Sequence, residues 1–547
     1  MGADLIIGVQ VGDGLVAADE LHSAADILVQ TSMFISLLDD SAQRSLCDVY
    51  LRPDLTGYST ASFSTEAARE LIKRGYEVAD KHRAEIRALA ARLPAYRRNL
   101  PPPKGVTLPD SIRVDRLDVI TDSKRTAPII RRRLSNKGYL GVTDLEQRID
   151  LLYGTLNYDL INYHIDTSKG DSALVIKAIR SPHEKVGISL NFDSFNQASA
   201  GVTMISRDRL LEGSRLMAEA YIGRYPEVET NFLKYIGPRQ LYAALLGGYY
   251  QRAPFPVRDL DDDLAATLDF ARYGAYFRTQ TASSDRQTYG VGLSWNHTLE
   301  TPNVAGLLET PVGDTTVIVD LNAVDRFWSD RWTARFYTQF NNTDRPIYPR
   351  QGWTIAGSIG YYWGVKAWLK MTRDFLDDAP PDVHDLVVDN VQLNNYDQFE
   401  RLELQASTIQ PLNNRFGLLF NGSLVISSER DLTRGDQVLV GGIKANGRES
   451  IPFWGLDVFG EQLPEFATIG AGWQWELAKD IFWQVKCNGL FTALRPGFVP
   501  LDNGDATLFG AGSTLGLRTG LGIIQVGAAN NFTTGSWLGY FNFGFRL

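Results

Sequence analysis

A two-residue alternation of apolar and polar side chains runs through the second part of the chain and limits its fold more than any other feature. Val186, Ile188 and Leu190, for example, are separated by Gly187 and Ser189. Successive side chains of a strand point to opposite faces, whereas a helix repeats every 3.6 residues, so this pattern predicts β-strands with one apolar face. Alternating segments are found at 185–192, 331–340, 416–426, 469–477, 481–488 and 537–547.

The composition changes near residue 183 in the same direction. All 11 Trp residues lie after this point, and so does the whole net charge of −9. A membrane barrel needs aromatic girdles at both interfaces, and its strands can cross lipid without a long apolar run. Dividing about 360 residues by roughly 22 per strand and loop gives about 16 strands. A soluble β-sandwich or propeller is the alternative, but such a sheet would not need so many aromatic residues.

The sequence therefore predicts a mainly β protein, with a transmembrane antiparallel β-barrel of about 16 strands at residues 183–547. Residues 111–182 before it predict a βααββ unit, in which Thr143 and Glu146 have the spacing of a capping box for the second helix. Its predicted strands are 112–119, 160–167 and 173–180, and its first helix spans about 124–137.

A proline-rich linker at 96–110 precedes this unit. Residues 1–95 predict an incomplete α/β segment with strands at 4–11 and 46–51 and helices at 19–38 and 64–93. The basic run Arg131-Arg132-Arg133 falls on the first helix of the βααββ unit. It has two interpretations, a contact with a lipid head group or partner and a solvated helix face.

The sequence contains few candidate catalytic or ligand-binding motifs. Gly12-x-Gly14-x-x-Ala17 follows a strand as a dinucleotide fingerprint would, but no full βαβ unit surrounds it. The nearest approach to a Gly-x-Ser-x-Gly elbow is at Ser358, which has Ala356 in place of the first glycine. The acidic balance argues against nucleic acid. The six scattered His residues and two Cys residues predict no metal site, and we expect no cofactor and no catalytic residue.

The first segment resembles the end of patatin-like phospholipase domains. Residues 2–9, GADLIIGV, are similar to the strand that follows that family's catalytic Asp loop. Residues 53–63, PDLTGYSTASF, resemble its late PDL stretch, and the helix after them matches too. In that family the Ser–Asp dyad and the oxyanion loop lie before the part that this sequence contains. The resemblance therefore implies a phospholipase remnant that is inactive alone, from a fragment or a degenerate homologue, with the signal peptide missing.

The remaining segments resemble a POTRA domain and the barrel of the BamA/TamA-like bacterial surface antigens. Residues 344–353, DRPIYPRQGW, are similar to a motif at the start of a barrel strand, which singles out Asp344, Pro349 and Gly352. Residues 441–448 fall where that family has a loop inside the barrel. A patatin, POTRA and barrel fusion is the type V-d secretion arrangement.

Further structural candidates follow from this resemblance. We expect Lys444 and Arg448 in a lumen loop that forms a salt bridge with an acidic wall residue such as Glu476, and an exposed surface loop is the alternative. Phe545 belongs to the aromatic final strand.

The resemblance implies an outer-membrane module of a Gram-negative bacterium, with its POTRA domain in the periplasm, that anchors or translocates a patatin-like lipase domain. Expected partners are outer-membrane lipids, the barrel assembly machinery during insertion, and a second copy in a homodimer. Two alternatives remain. One is an active surface lipid acyl hydrolase, and the other is a factor that assembles outer-membrane proteins.

Overall fold

The protein divides into two compact units, Met1–Leu108 and Pro109–Leu547. The predicted helix at 19–38, the Gly12–Ala17 motif, Arg448, Phe545 and nearly all of the linker lie outside the described residues. The computed structural model describes residues 5–11, 44–58, 65–91, 110–122, 126–134, 138–168, 170–211, 213–237, 240–258, 264–281, 284, 286–304, 307–312, 315–372, 391–445, 450–496, 506–519 and 522–544.

The first unit has two short parallel strands and two helices in its described part. Val49, Leu51 and Leu89 are its main buried side chains. The prediction of one helix over 64–93 was wrong, because the helix is interrupted at His82. The elements are β1 (Ile7–Val9), β2 (Val49–Leu51), α1 (Thr65–Lys81) and α2 (Arg83–Ala91).

The second unit begins with a small mixed sheet that packs against two helices. Its central strand β7 is parallel to β4 and antiparallel to β6, and the buried residues Ile130, Leu145 and Leu152 lie between helices and sheet. The predicted element order is observed, except that the first strand is divided and a short strand is added. The elements are β3 (Ser111–Val114), β4 (Arg116–Thr121), α3 (Thr126–Leu134), β5 (Gly138–Gly141), α4 (Val142–Tyr153), β6 (Tyr158–Asp166) and β7 (Ala173–Arg180).

The predicted capping box of α4 was wrong. The N-cap residue is Gly141 in extended conformation, and no side chain caps the helix. Thr143 and Glu146 lie inside the helix because the short strand β5 runs directly into it, so the helix begins one residue before Thr143.

A closed antiparallel barrel of 16 strands forms the rest of the second unit, as predicted. Each strand pairs with its neighbour along the wall, and the last strand returns to the first. Within the described residues, no helix is long and apolar enough to cross a membrane. The wall strands are β8 (Glu184–Asp193), β9 (Gln197–Arg207), β10 (Ser214–Gly223), β11 (Glu227–Ile236), β12 (Tyr242–Arg258), β13 (Leu264–Thr281), β14 (Gln287–Val304), β17 (Val324–Asn341), β18 (Gly352–Met371), β20 (Gln398–Pro411), β21 (Phe416–Ser427), β25 (Phe466–Ala478), β26 (Ile481–Phe491), β27 (Thr507–Thr519), β28 (Gly522–Asn531) and β29 (Trp537–Gly544).

The connections between wall strands have at most ten residues at the end where the chain enters the barrel, and all the longer connections lie at the opposite end. The longer ones contain small elements of their own. These are β15 (Leu307–Val312), β16 (Thr315–Asp320), β19 (Val391–Gln392), β22 (Val438–Val440), β23 (Ser450–Ile451) and β24 (Glu461–Leu463).

The wall has its apolar face outside and its polar face inside. In β8, Ile188 and Leu190 are 74% and 67% exposed, whereas Ser189 and Asn191 between and beside them are 6% and 5% exposed. The predicted two-residue alternation therefore separates two environments, and the buried polar side chains face the lumen.

Candidate functional site

The described residues of the connection from β21 to β25, 428–445 and 450–465, lie inside the barrel and are called the lumen segment below. The Phe459 ring packs against Phe270 of β13 with a centroid distance of 5.6 Å. The Trp454 backbone exchanges two hydrogen bonds with Asn488 of β26, at 3.2 and 3.0 Å. Strands β13 and β26 lie on opposite sides of the closed ring. A single segment can contact both only from within the lumen.

Asp436 is the charged centre of the lumen segment. Its side chain is fully buried and accepts hydrogen bonds from Arg331 Nη1 at 2.7 Å and from the Tyr396 hydroxyl and Thr433 Oγ1, both at 3.0 Å. Burial, together with the carboxylate beside it, raises the pKa of Tyr396, so the phenol remains a donor. The Asp436 carboxylate is thus held by one cation and two hydroxyl groups.

Two wall arginines hold the backbone of the same turn. Arg331 of β17 also donates to the Gly435 carbonyl at 2.5 Å, and Arg401 of β20 donates to the Asp436 carbonyl. Arg331 and Arg401 are 2% and 1% exposed. A buried ion pair contributes little net stability, but removal of one partner leaves an uncompensated charge. The pair therefore fixes where the lumen segment lies.

Lys444 brings the lumen segment to another part of the wall. Its Nζ lies 3.4 Å from Asp193 Oδ2 of β8 and donates to Asn542 Oδ1 of β29 at 3.2 Å. Lys444 thus has an acidic wall partner, but the predicted partner Glu476 was wrong. Glu476 lies near the other end of the barrel, where Arg350 and Arg345 contact it.

The turn between β17 and β18 enters the lumen from the opposite end and brings four predicted candidates together. The Asp344 carboxylate accepts backbone hydrogen bonds from Arg350 at 2.8 Å and Gln351 at 3.3 Å. Gly352 ends the turn with φ +122°, a conformation that favours glycine. The Pro349 carbonyl accepts a hydrogen bond from Gln474 of β25 at 2.8 Å.

Glu476 ties this turn to the wall. It accepts a hydrogen bond from Arg350 Nη2 at 2.5 Å and lies 3.7 Å from Arg345. The buried Tyr348 ring stacks on Phe482 of β26 at 4.5 Å, and burial raises the pKa of Tyr348 to about 12. The turn that contains the 344–353 motif therefore folds into the lumen at the end where the chain enters the barrel.

The junction of β29 with β8, called the seam below, closes the ring of the wall. Its described pairs are Asn542 with Asp193, Phe543 with Phe192 and Gly544 with Asn191. The seam is therefore where the first and the last strands of the wall meet.

Arginines also join the small mixed sheet to the barrel. Arg133 Nη2 donates to the Gln240 carbonyl at 2.6 Å, and Arg207 Nε donates to the Leu156 carbonyl at 2.9 Å. Within the basic run, Arg131 and Arg132 are exposed whereas Arg133 is 8% exposed. A solvated helix face thus accounts for two of the three residues, and the third is an internal contact with the barrel.

The sequence reasoning missed Asp436, Arg331, Arg401 and Asp193. One signal was available for the wall arginines, because Arg331 stands next to Trp332 in an alternating strand and must therefore face the lumen. No comparable signal identified Asp436, since the partners of a loop carboxylate depend on how the ring closes.

The class that these features define is a 16-stranded barrel with a filled lumen. Among solved structures, the chain is similar to BamA from Haemophilus ducreyi lacking POTRA domains 1–3, with a TM-score of 0.51 and 14% identity over 78% of this chain and 83% of that one. At this identity the likeness shows the fold, a BamA-like barrel.

Two further similar structures are CdiB proteins. CdiB from Acinetobacter baumannii gives a TM-score of 0.48 and 9% identity over 98% of this chain and 89% of that one. CdiB from Escherichia coli gives 0.47 and 11% over 78% and 75%. No protein-family model and no curated protein matches the sequence.

Proposed function

We propose that the chain is an outer-membrane barrel module that anchors or translocates a polypeptide domain. The observation that carries this proposal is the inverted wall, whose apolar side chains face outward around a closed ring while polar side chains face the lumen. Lipid stabilises such an outer surface, and a closed ring leaves no unpaired strand edge in the hydrocarbon.

The height of the apolar band fits a bilayer. On the outer face of β18, Trp353 and Trp363 enclose the exposed Ile355 and Ile359. Ten residues at about 3.3 Å each, tilted by about 40°, span about 25 Å, the height of an outer-membrane apolar band. The next outward residue, Lys366, is charged, so aromatic girdles at two interfaces account for the pattern.

We assign residues 111–182 to a POTRA domain in the periplasm. The mixed sheet with β7 in its centre and two helices on one face supports this assignment. The position of the domain at the end of the barrel with short connections supports the periplasmic side, because outer-membrane barrels have short periplasmic turns.

We assign residues 1–95 to the end of a patatin-like domain, on the sequence resemblance given above. The proposed cargo is therefore a lipase domain that this barrel holds at the cell surface. Since the chain has no Gly-x-Ser-x-Gly segment, we expect a fluorophosphonate probe to leave the purified chain unlabelled. Labelling of a serine would instead favour the surface phospholipase.

The seam favours a second candidate function. The seam joins the first and the last strands of the wall, whose edges meet only when the ring closes. A barrel that opens laterally could insert other outer-membrane proteins, which makes an assembly factor the alternative.

Depletion in the native bacterium separates these functions. We expect an antibody to reach an epitope in residues 1–95 on intact cells that contain the chain, and we expect depletion to leave the other outer-membrane proteins at their usual abundance. A general loss of outer-membrane barrels would support the assembly factor. An epitope that the antibody reaches only in permeabilised cells, together with an unchanged membrane proteome after depletion, would reject both functions.

A further inference from the structure

The lumen segment and the seam meet at one side chain. Asp193 and Asn542 are directly opposite each other in the seam, one on β8 and one on β29. Lys444 Nζ lies 3.4 Å from the carboxylate of the first and 3.2 Å from the amide oxygen of the second. One ammonium group of the lumen segment thus bridges the two strands of the seam.

The buried carboxylate of Asp193 depends on the Lys444 ammonium group for a countercharge. Its side chain is 1% exposed and also accepts hydrogen bonds from the Asn196 backbone at 2.6 Å and side chain at 3.0 Å. These neutral donors position the carboxylate at the end of β8. A buried carboxylate without a countercharge is unfavourable, so loss of Lys444 acts directly on the strand end that forms the seam.

We propose that Lys444 is a latch that couples the position of the lumen segment to closure of the seam. While the segment is in place, its ammonium group compensates Asp193 and holds Asn542 of the opposing strand. When the segment withdraws, β8 retains an uncompensated buried charge and the seam loses a bridge between its two strands. Filling of the lumen and closure of the wall are therefore a single equilibrium, since each state stabilises the other.

The proposal rests on the proposed function only in that a transporting or inserting barrel gives the seam a reason to open. The latch itself is a property of the resting protein. It differs from the Arg331–Asp436 pair, which joins the segment to one wall strand far from the seam along the ring.

Hydrogen exchange of the full chain in lipid bilayers tests the latch. We expect Lys444→Met to make amides of β8 and β29 at the seam exchange roughly tenfold faster, since a hydrogen bond to a charged group contributes about 1.5 kcal/mol or more. Amides of the β20–β21 pairing should be unchanged, which shows that the barrel is folded. Lys444→Arg should restore most of the protection.

Lys486→Met is the matched control. Lys486 faces the lumen from β26 and lies over the Trp454 ring of the same segment at 5.7 Å, away from the seam pair. It should leave seam exchange at the wild-type rate. Unchanged seam exchange in a folded Lys444→Met barrel, or equal acceleration by Lys486→Met, would overturn the latch.

The exchange result is independent of the depletion result. Accelerated seam exchange together with an epitope hidden on intact cells and an unaltered proteome would retain the latch and reject the proposed function. Unaltered exchange together with an epitope accessible on intact cells would retain the function and reject the latch.

Discussion

Arg331 of β17 and Asp436 of the lumen segment form an ion pair at 2.7 Å in which the two side chains are 2% and 0% exposed. They are 105 residues apart in the chain. The pair marks the point where a long connection is fixed inside a closed ring.

Asp436→Asn should destabilise the folded barrel. The amide cannot compensate Arg331, and leaving one partner of a buried pair alone costs about 3–5 kcal/mol. Denaturant unfolding in detergent micelles measures the loss. Asp431→Asn, at an exposed position in the same segment, is the control and should cost about 0.5 kcal/mol or less. Equal stability of Asp436→Asn and wild type would contradict the assigned role.

Gly352→Ala should impair folding of the turn between β17 and β18. At φ +122°, an added Cβ would lie 2.6 Å from Thr343 Cα and 2.8 Å from the Asn342 carbonyl oxygen. Backbone strain of this kind costs roughly 1–3 kcal/mol before the clash is counted. The fraction that folds in lipid, read from heat-modifiable gel migration, should fall. Gly539→Ala has open space around the added Cβ and should fold like wild type.

Arg133→Met should loosen the small mixed sheet from the barrel. The variant loses the 2.6 Å hydrogen bond to the Gln240 carbonyl of the barrel and, within the small sheet unit, a 3.1 Å one to the Leu151 carbonyl of α4. Charged hydrogen bonds contribute about 1.5–3 kcal/mol each, so limited proteolysis between the sheet and β8 should become faster. Arg131→Met, on the exposed side of the same helix, should be cleaved at the wild-type rate. A similar rate for both variants would indicate that Arg133 does not hold the junction.

Stability of the small mixed sheet should fall at alkaline pH. Burial raises the pKa of Tyr158 to about 12, above its ordinary value of 10.0. The folded state therefore keeps a proton that the unfolded state releases, so the contribution is complete below pH 10 and is lost between pH 10 and about 12. Urea unfolding followed by the helical circular dichroism signal should show the loss, and Tyr158→Phe should reduce it. The same alkaline loss in both proteins would exclude Tyr158 as its cause.

Local patterns in the sequence were sufficient to predict much of the fold. Alternation around Ile188 and Trp332 predicted the wall, because a strand with one face in lipid and one in the lumen must change polarity at every residue. The motif from Asp344 to Gly352 was recognised by its resemblance to a barrel family, and the structure shows a turn held by the Asp344 carboxylate and by the positive φ of Gly352.

The partners of Lys444 and Asp436 could not be predicted in the same way. Lys444 was expected to meet Glu476, but strand register and ring closure decide which wall carboxylate comes within reach of a lysine, and both depend on residues hundreds of positions apart. The predicted N-cap of α4 was wrong for a local reason. The strand β5 leads directly into the helix, so Thr143 lies inside the helix and not at its N-cap.

The seam also determines the order in which the chain can fold. Ser194 and Phe541, which exchange backbone and side-chain hydrogen bonds at 3.0 and 2.7 Å, are 347 residues apart. Neighbouring hairpins form with little loop-closure entropy, whereas this contact needs nearly the whole wall in place. The ring therefore closes last, and until then the edges of β8 and β29 are open strands that can pair with another chain. A nascent copy needs its two edges shielded for longer than any other part of the wall.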